Sequence, residues 1–212
     1  MGRPKGRAAI FLDRDNTLTE DVPYCASPDD LHLIEGVGEA VHKLNELGFL
    51  TIVITNQSGI ARGFFTLEQL GEVHAELRRQ MGASGARIDA IYFCPHLPTD
   101  GCACRKPGTL LFERACADLG VDPKRSFVIG DRGADIEAGF WIGCRTVLIH
   151  NDVGSSELAR LGIAPTVSCP GLPEFVRWLV VQGRDVLADA NGTPDDRSAG
   201  RASDLFEVDA NG

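Results

Sequence analysis

Short apolar segments along the chain predict buried β-strands. They lie at 8–12, 50–55, 88–93, 126–130 and 145–150, and a shorter segment at 165–169 predicts a sixth strand. Each is nearly continuous in hydrophobicity and is bounded by polar turns, which is typical of parallel strands covered on both faces.

Between these segments, apolar residues recur at the spacing of an amphipathic helix. The segment 37–48 has one apolar face and a glycine, Gly48, where a C-cap belongs, while Thr66 and Gln69 stand at capping-box spacing. The predicted helices lie at 37–48, 66–82, 109–120, 134–142, 155–161 and 172–182. Regular alternation of strand and helix predicts an α/β fold with a doubly wound, Rossmann-like parallel sheet and right-handed crossovers.

Composition divides the chain into one globular domain and a tail. The sequence has 212 residues, of which 43% are hydrophobic, and this suffices for one domain, predicted over 1–183. From 184 onward the periodicity stops and acidic residues dominate, so 184–212 is predicted to be a disordered acidic tail.

Net charge and hydropathy limit the classes of partner. A net charge of −9 disfavours nucleic acids and anionic membranes, because binding either requires a basic surface. No apolar run approaches the ~20 residues of a membrane span, and no signal-peptide core follows the N-terminus. We therefore expect a cytoplasmic protein that binds neither nucleic acid nor membrane; a monomer is expected as well.

Polar side chains follow each of the first four predicted strands. They are Asp13 and Asp15 at the end of the first strand, Thr55, Asn56 and Gln57 at the end of the second, Cys94 and His96 and then Lys106 after the third, and Asp131 and Arg132 after the fourth. In doubly wound sheets, ligands bind beyond the carboxyl ends of the strands. A polar turn would explain any one of these positions, but it explains all of them together poorly.

This set of side chains is suited to phosphoryl transfer. Asp13 is ionised at neutral pH and can act as a nucleophile without a base, provided that the charge of the phosphoryl group is screened. Mg²⁺ on carboxylate ligands would provide that screening, and the predicted ligands are Asp13, Asp15 and Asp131. Thr55 and Lys106 would hold the phosphoryl oxygens, and Asp15 would protonate the leaving oxygen and later deprotonate water.

Four further side chains predict a zinc site. Cys94, His96, Cys102 and Cys104 offer three thiolates and one imidazole within eleven residues, a closed tetrahedral set for Zn²⁺. The alternative is a group of free surface thiols. A structural zinc would stiffen the loop that leads into Arg105 and Lys106.

The strand-end segments, taken in order, resemble the four motifs of the haloacid dehalogenase (HAD) phosphatases. The segments are "FLDRDNTL", "ITNQ", "CRKP" and "IGDRGADI". The resemblance implies Asp13 as nucleophile, Asp15 as acid and base, Thr55 and Lys106 as phosphoryl stabilisers, and Asp131 on Mg²⁺. Asp135 is either an acid behind the metal or an ordinary first-turn residue of a helix.

Within that superfamily, the zinc loop and "TNQSGIARGFFT" are similar to the heptose 1,7-bisphosphate phosphatases and the related histidinol-phosphatases. Like them, this chain has no room for a large cap domain. The resemblance implies removal of the C7 phosphate of D-glycero-D-manno-heptose 1,7-bisphosphate. The substrate-binding residues that it implies are Asp21, Val22, Pro23, Tyr24, Asn56, Gln57, Ser58, Arg105 and Arg132.

Alternatives stay open at this point. The loop between His96 and Cys102 is short for this branch, and "RKPGTLLF" departs from the text common after the lysine, so histidinol phosphate or another small sugar phosphate is the second candidate. A phospho-accepting receiver domain would carry its aspartate at the third strand, where Cys94 stands. An inactive zinc-binding module would not need all four motifs, and polynucleotide phosphatases would act on a substrate that the net charge disfavours.

Overall fold

The computed structural model describes residues 6–182 and 207–208. Within these residues, strands and helices alternate. The strands are β1 (Ala9–Leu12), β2 (Leu50–Asn56), β3 (Ala90–Cys94), β4 (Phe127–Gly130), β5 (Arg145–Ile149), β6 (Val167–Cys169) and β7 (Glu207–Val208). The helices are α1 (Val37–Glu46), α2 (Leu67–Ala83), α3 (Leu110–Leu119), α4 (Gly133–Trp141), α5 (Asp152–Leu161) and α6 (Leu172–Gln182).

All strands run parallel in one sheet of order β6-β5-β4-β1-β2-β3-β7. The chain therefore builds outward from β1 through β2 and β3, and then returns to place β4 on the other side of β1. The loops after β1 and β4 diverge at this switch point, and a crevice opens between them. The Asp13 amide donates to the Ile129 carbonyl at 2.9 Å, so the end of β1 is fixed against β4.

Hydrophobic cores fill both faces of the sheet, which explains why the strand segments lack alternation. On one face Phe127 packs edge-on against Phe175 of α6, with ring centroids 5.3 Å apart. On the other face Phe11 packs against Phe112 of α3 at the same centroid distance of 5.3 Å. The doubly wound parallel architecture predicted from the sequence is confirmed.

The first residues of α2 and α5 are set by side chains that cap the helix N-termini. The predicted capping box of α2 is present, because Thr66 accepts from the Gln69 amide and Gln69 accepts in return. α5 begins at Asp152, earlier than predicted, because the Asn151 side chain accepts from the Gly154 amide at 2.7 Å and caps the extra turn.

The predicted tail at 184–212 lies outside the described residues except for Glu207–Val208, which pair in parallel with β3. The domain boundary at 183 and the disorder of the tail stay predictions. Among the described residues, no helix is both long and apolar enough to cross a membrane.

Candidate active site

A cavity of about 530 Å³ opens at the carboxyl ends of β1, β2 and β4. Its lining comes from five separate parts of the chain: the loop after β1, the end of β2, the segment before α3, the segment from β4 into α4, and α5. The predicted reaction residues Asp13, Asp15, Thr55, Lys106 and Asp131 all lie in this lining. The structure thus brings together every residue that was predicted to take part in a chemical step.

Lys106 lies at the centre of the buried charges. Its side chain is 3% exposed, and its Nζ lies 2.8 Å from Asp13 Oδ1 and 2.6 Å from Asp135 Oδ1. It also donates to the Ile54 carbonyl at 2.7 Å. A buried ammonium in contact with two carboxylates fixes both acids and holds positive charge next to Asp13.

Asn56 fixes the backbone that carries this lysine. Its Oδ1 accepts from the Lys106 amide at 3.1 Å, and its Nδ2 donates to the Lys106 carbonyl at 3.3 Å. The end of β2 therefore sets the position of a residue that lies fifty positions further along the chain.

The acids carry more negative charge than Lys106 offsets. Burial raises the pKa of Asp13 to about 7, against the effect of Lys106 and with reinforcement from Asp135 and Asp15. Burial, together with Asp135, raises the pKa of Asp131 to about 6. Burial alone would lower the pKa of Lys106, but the Asp13 and Asp135 carboxylates outweigh it, and that pKa lies above its ordinary value.

Asp13, Asp131 and Asp135 form a group that fits a divalent cation. Each offers a carboxylate oxygen, and the three oxygens lie within 4.8 Å of one another. Hard oxygen donors and uncompensated negative charge are what Mg²⁺ requires of a protein site. The sequence named Asp15 as the third carboxylate of this group, whereas the structure places Asp135 there.

The Asp15 carboxylate is held elsewhere. Arg14 Nε donates to its Oδ1 at 2.9 Å, and Gln57 Nε2 donates to its Oδ2 at 3.0 Å. Arg14 is buried, so it cannot leave this pair for solvent. Gln57 also donates to Thr55 Oγ1 at 2.8 Å, which leaves the Thr55 hydroxyl hydrogen available to another acceptor. These contacts orient Asp15 and Thr55 as a unit.

The four predicted zinc ligands converge in the loop between β3 and α3. The sulfur–sulfur distances are 3.1 Å between Cys94 and Cys104, 3.4 Å between Cys102 and Cys104, and 3.6 Å between Cys94 and Cys102. His96 Nδ1 lies 3.2 Å from Cys104 Sγ and 3.5 Å from Cys94 Sγ. Zn–S bonds of about 2.3 Å in a tetrahedron would place sulfurs about 3.8 Å apart, so each sulfur would need to move outward by only a few tenths of an ångström to form a closed zinc site.

The predicted substrate-binding residues divide into two groups. Asp21, Asn56, Arg105 and Arg132 line the cavity, whereas Val22, Pro23, Tyr24, Gln57 and Ser58 do not. The Tyr24 ring instead packs edge-on against Phe64, with centroids 4.6 Å apart, under the Arg62 guanidinium. Their roles stay predictions.

One wall of the cavity was not predicted. α5 contributes Glu157, Arg160 and Leu161, and α4 contributes Glu137. Glu157 binds Arg132 and accepts from the Gly133 amide at 2.8 Å, and the Arg132 contact holds the pKa of Glu157 below its ordinary value. The sequence has no motif at these positions, because polar residues that line a cavity and polar residues that face solvent have the same spacing on an amphipathic helix.

Comparisons with known proteins identify the family of this chain. The HAD-hydrolase-like family pattern matches residues 103–175. The chain is 39% identical over 151 residues to D-glycero-beta-D-manno-heptose-1,7-bisphosphate 7-phosphatase of Haemophilus ducreyi, covering 68% of this chain and 83% of that protein. It is 37% identical over 187 residues to the corresponding phosphatase of Thermosynechococcus vestitus, covering 82% and 95% respectively.

A solved structure of a heptose bisphosphate phosphatase has a similar fold. The D,D-heptose 1,7-bisphosphate phosphatase from B. bronchiseptica, solved with magnesium and phosphate, aligns with a TM-score of 0.75 and 32% identity. The alignment covers 82% of this chain and 98% of that one.

Proposed function

Because the chain belongs to the HAD-like hydrolases, in the branch of the heptose-1,7-bisphosphate 7-phosphatases, we propose that it removes the C7 phosphate of D-glycero-D-manno-heptose 1,7-bisphosphate. It is a phosphomonoester hydrolase whose substrate is a small phosphorylated sugar. The observation that carries the mechanism is the buried contact of 2.8 Å between Asp13 and Lys106 at the carboxyl end of β1.

In the first step, an Asp13 carboxylate oxygen attacks the phosphorus and the bond from phosphorus to the sugar oxygen breaks. Asp15 donates a proton to the departing oxygen, so that an alcohol leaves and an aspartyl-phosphate remains. In the second step, Asp15 takes a proton from water. The resulting hydroxide attacks phosphorus and releases phosphate, and Asp13 is restored as a carboxylate.

The surrounding contacts prepare both steps. Lys106 holds Asp13 in place and presents positive charge to the phosphoryl oxygens, while the free hydroxyl hydrogen of Thr55 is available to one of them. Arg14 and Gln57 aim the Asp15 carboxylate. Buried groups that are already oriented need no reorganisation during the reaction.

Both metals fit the residues present. Asp13, Asp131 and Asp135 would hold Mg²⁺, which would screen the phosphoryl charge as Asp13 approaches. Cys94, His96, Cys102 and Cys104 would hold Zn²⁺ away from the reaction. The zinc loop leads directly into Arg105 and Lys106, so a closed zinc site would fix the direction of both cations.

Phosphate release with Mg²⁺ tests the proposal. The panel contains both anomers of the heptose bisphosphate, histidinol phosphate and short oligonucleotides. We expect one heptose anomer to give the highest kcat/KM; faster turnover of histidinol phosphate would instead favour the second candidate.

Asp13→Asn tests the nucleophile. The change removes the attacking carboxylate with little change in volume, so phosphate release should fall to background while the circular dichroism spectrum stays unchanged. Asp30→Asn is the matched control, because Asp30 is exposed and outside the cavity. Full activity of Asp13→Asn would rule out the proposed mechanism.

A further inference from the structure

The wall of the cavity formed by α5 is fixed to the reaction centre. The Asn151 side chain donates to the Asp131 carbonyl at 2.8 Å. A Cβ on Gly154 would lie 2.3 Å from the same carbonyl oxygen, so the helix backbone touches the loop that carries Asp131. Side chains in the last turn of α5 therefore stand at a set position relative to the acids.

Of the four cavity cations, two are already committed to carboxylates. Lys106 is bound to Asp13 and Asp135, and Arg132 is bound to Glu157. These pairs leave Arg105 and Arg160 as the cavity cations that form no ion pair with a carboxylate in the described part of the chain.

Arg160 is available to a ligand. Its Nε donates to the Ser156 carbonyl at 3.3 Å, one turn earlier in α5, and the residue is exposed. The charge of Arg160 helps to lower the pKa of the nearby Glu157, but the Glu157 oxygens are bound by Arg132 and the Gly133 amide and form no ion pair with Arg160. A guanidinium with free N–H groups is suited to bind phosphate at two points.

We propose that Arg160 binds the second phosphate of a doubly phosphorylated sugar, with Arg105 as the other cation available to that phosphate, and so selects bisphosphates over monophosphates. The inference deepens the proposed function, because it rests on phosphate release at Asp13 and adds the feature that recognises the far end of the substrate. Arg160 acts in binding and has no part in the chemical steps.

Arg160→Ala and Arg160→Lys test this with heptose 1,7-bisphosphate and heptose 7-phosphate. For Arg160→Ala we expect KM for the bisphosphate to rise about 10-fold, equivalent to about 1.4 kcal/mol. The kcat for the bisphosphate and both constants for the monophosphate should stay within about 2-fold of the unmutated protein, and Arg160→Lys should recover part of the loss. Arg177→Ala on α6 is the control, because its side chain is 70% exposed and lies outside the cavity.

Calorimetric binding in an Asp13→Asn background separates the two proposals. If Arg160→Ala weakens binding of the bisphosphate about 10-fold in this background, the inference about Arg160 stands. It stands even if the unmutated protein does not hydrolyse that sugar, and in that case only the proposed function fails. The inference would be overturned if Arg160→Ala weakened binding of the bisphosphate and the monophosphate equally, or weakened binding of neither. A loss of thermal stability without a change in selectivity would also overturn it, because it would show that Arg160 serves only the C-terminal end of its helix.

Discussion

Lys106→Met isolates the charge at the centre of the site, because methionine retains most of the side-chain length. The lysine is 3% exposed, with Asp13 at 2.8 Å and Asp135 at 2.6 Å. Removing it leaves two buried carboxylates without their partner, and such a break costs about 3–5 kcal/mol. For a domain of this size, each kcal/mol lowers Tm by about 2–4 °C, so the expected loss is roughly 6–20 °C.

Thermal denaturation with a chelator, and then with Mg²⁺, measures the effect. We expect the full loss in the chelator and a smaller loss in Mg²⁺, because a cation on Asp13 and Asp135 compensates part of the same charge. Turnover of a phosphomonoester should fall at least about 100-fold even at saturating Mg²⁺, since the positive charge next to the phosphoryl group is absent.

Lys43→Met is the matched control, because Lys43 forms an exposed ion pair with Glu46 at 2.8 Å. Exposed pairs of this kind contribute at most about 1 kcal/mol. If Lys106→Met lowered Tm no more than Lys43→Met does, Lys106 would not be compensating buried charge. An unchanged kcat would refute its role toward the phosphoryl group.

Two further predictions concern the parts that position the site. Purified protein should contain about one zinc per chain by metal analysis, lost in Cys102→Ser/Cys104→Ser and retained in Cys116→Ser; zinc-free unmutated protein would contradict the site. Gly154→Ala should cost about 1–3 kcal/mol in chemical denaturation and lower kcat, because its Cβ would lie 2.3 Å from the backbone oxygen of the loop after β4. Gly82→Ala in α2, where a Cβ meets nothing within 4 Å, should leave stability unchanged or slightly higher, and an equal loss in both variants would contradict the close contact.

The reaction end of the site could be predicted from the sequence because parallel strands share a direction. Asp13 and Asp131 each follow an apolar strand directly and Thr55 lies in the last residues of another, so any parallel arrangement places them at one edge of the sheet. Lys106 lies twelve residues beyond the end of β3 and depends on a second signal, the cysteine-rich loop that returns the chain to this edge.

The choice between Asp15 and Asp135 in the group of three acids could not be made from spacing. Asp15 lies near Asp13 in sequence, but its carboxylate turns to a buried arginine, Arg14, whose charge needs a partner. Asp135 reaches the group from the first turn of α4, where its Oδ2 also accepts from the Arg132 amide at 3.1 Å. Both orientations depend on tertiary contacts.

The part of the cavity wall that α5 forms could not be predicted from the sequence for a related reason. The contact that positions this helix is made to a backbone carbonyl, and the exposed residues of α5 form no recognisable motif. Gly154 and Asn151 hold the helix to the loop that carries Asp131, so changing either disturbs the reaction centre. Arg160 points from the same helix into the cavity but supports none of these contacts. A substitution at Arg160 can therefore change which sugar phosphate is accepted while Asp13, Lys106 and the fold stay as they are. The residues at the strand ends therefore determine the reaction of such an enzyme, whereas substitutions on α5 can change its substrate preference.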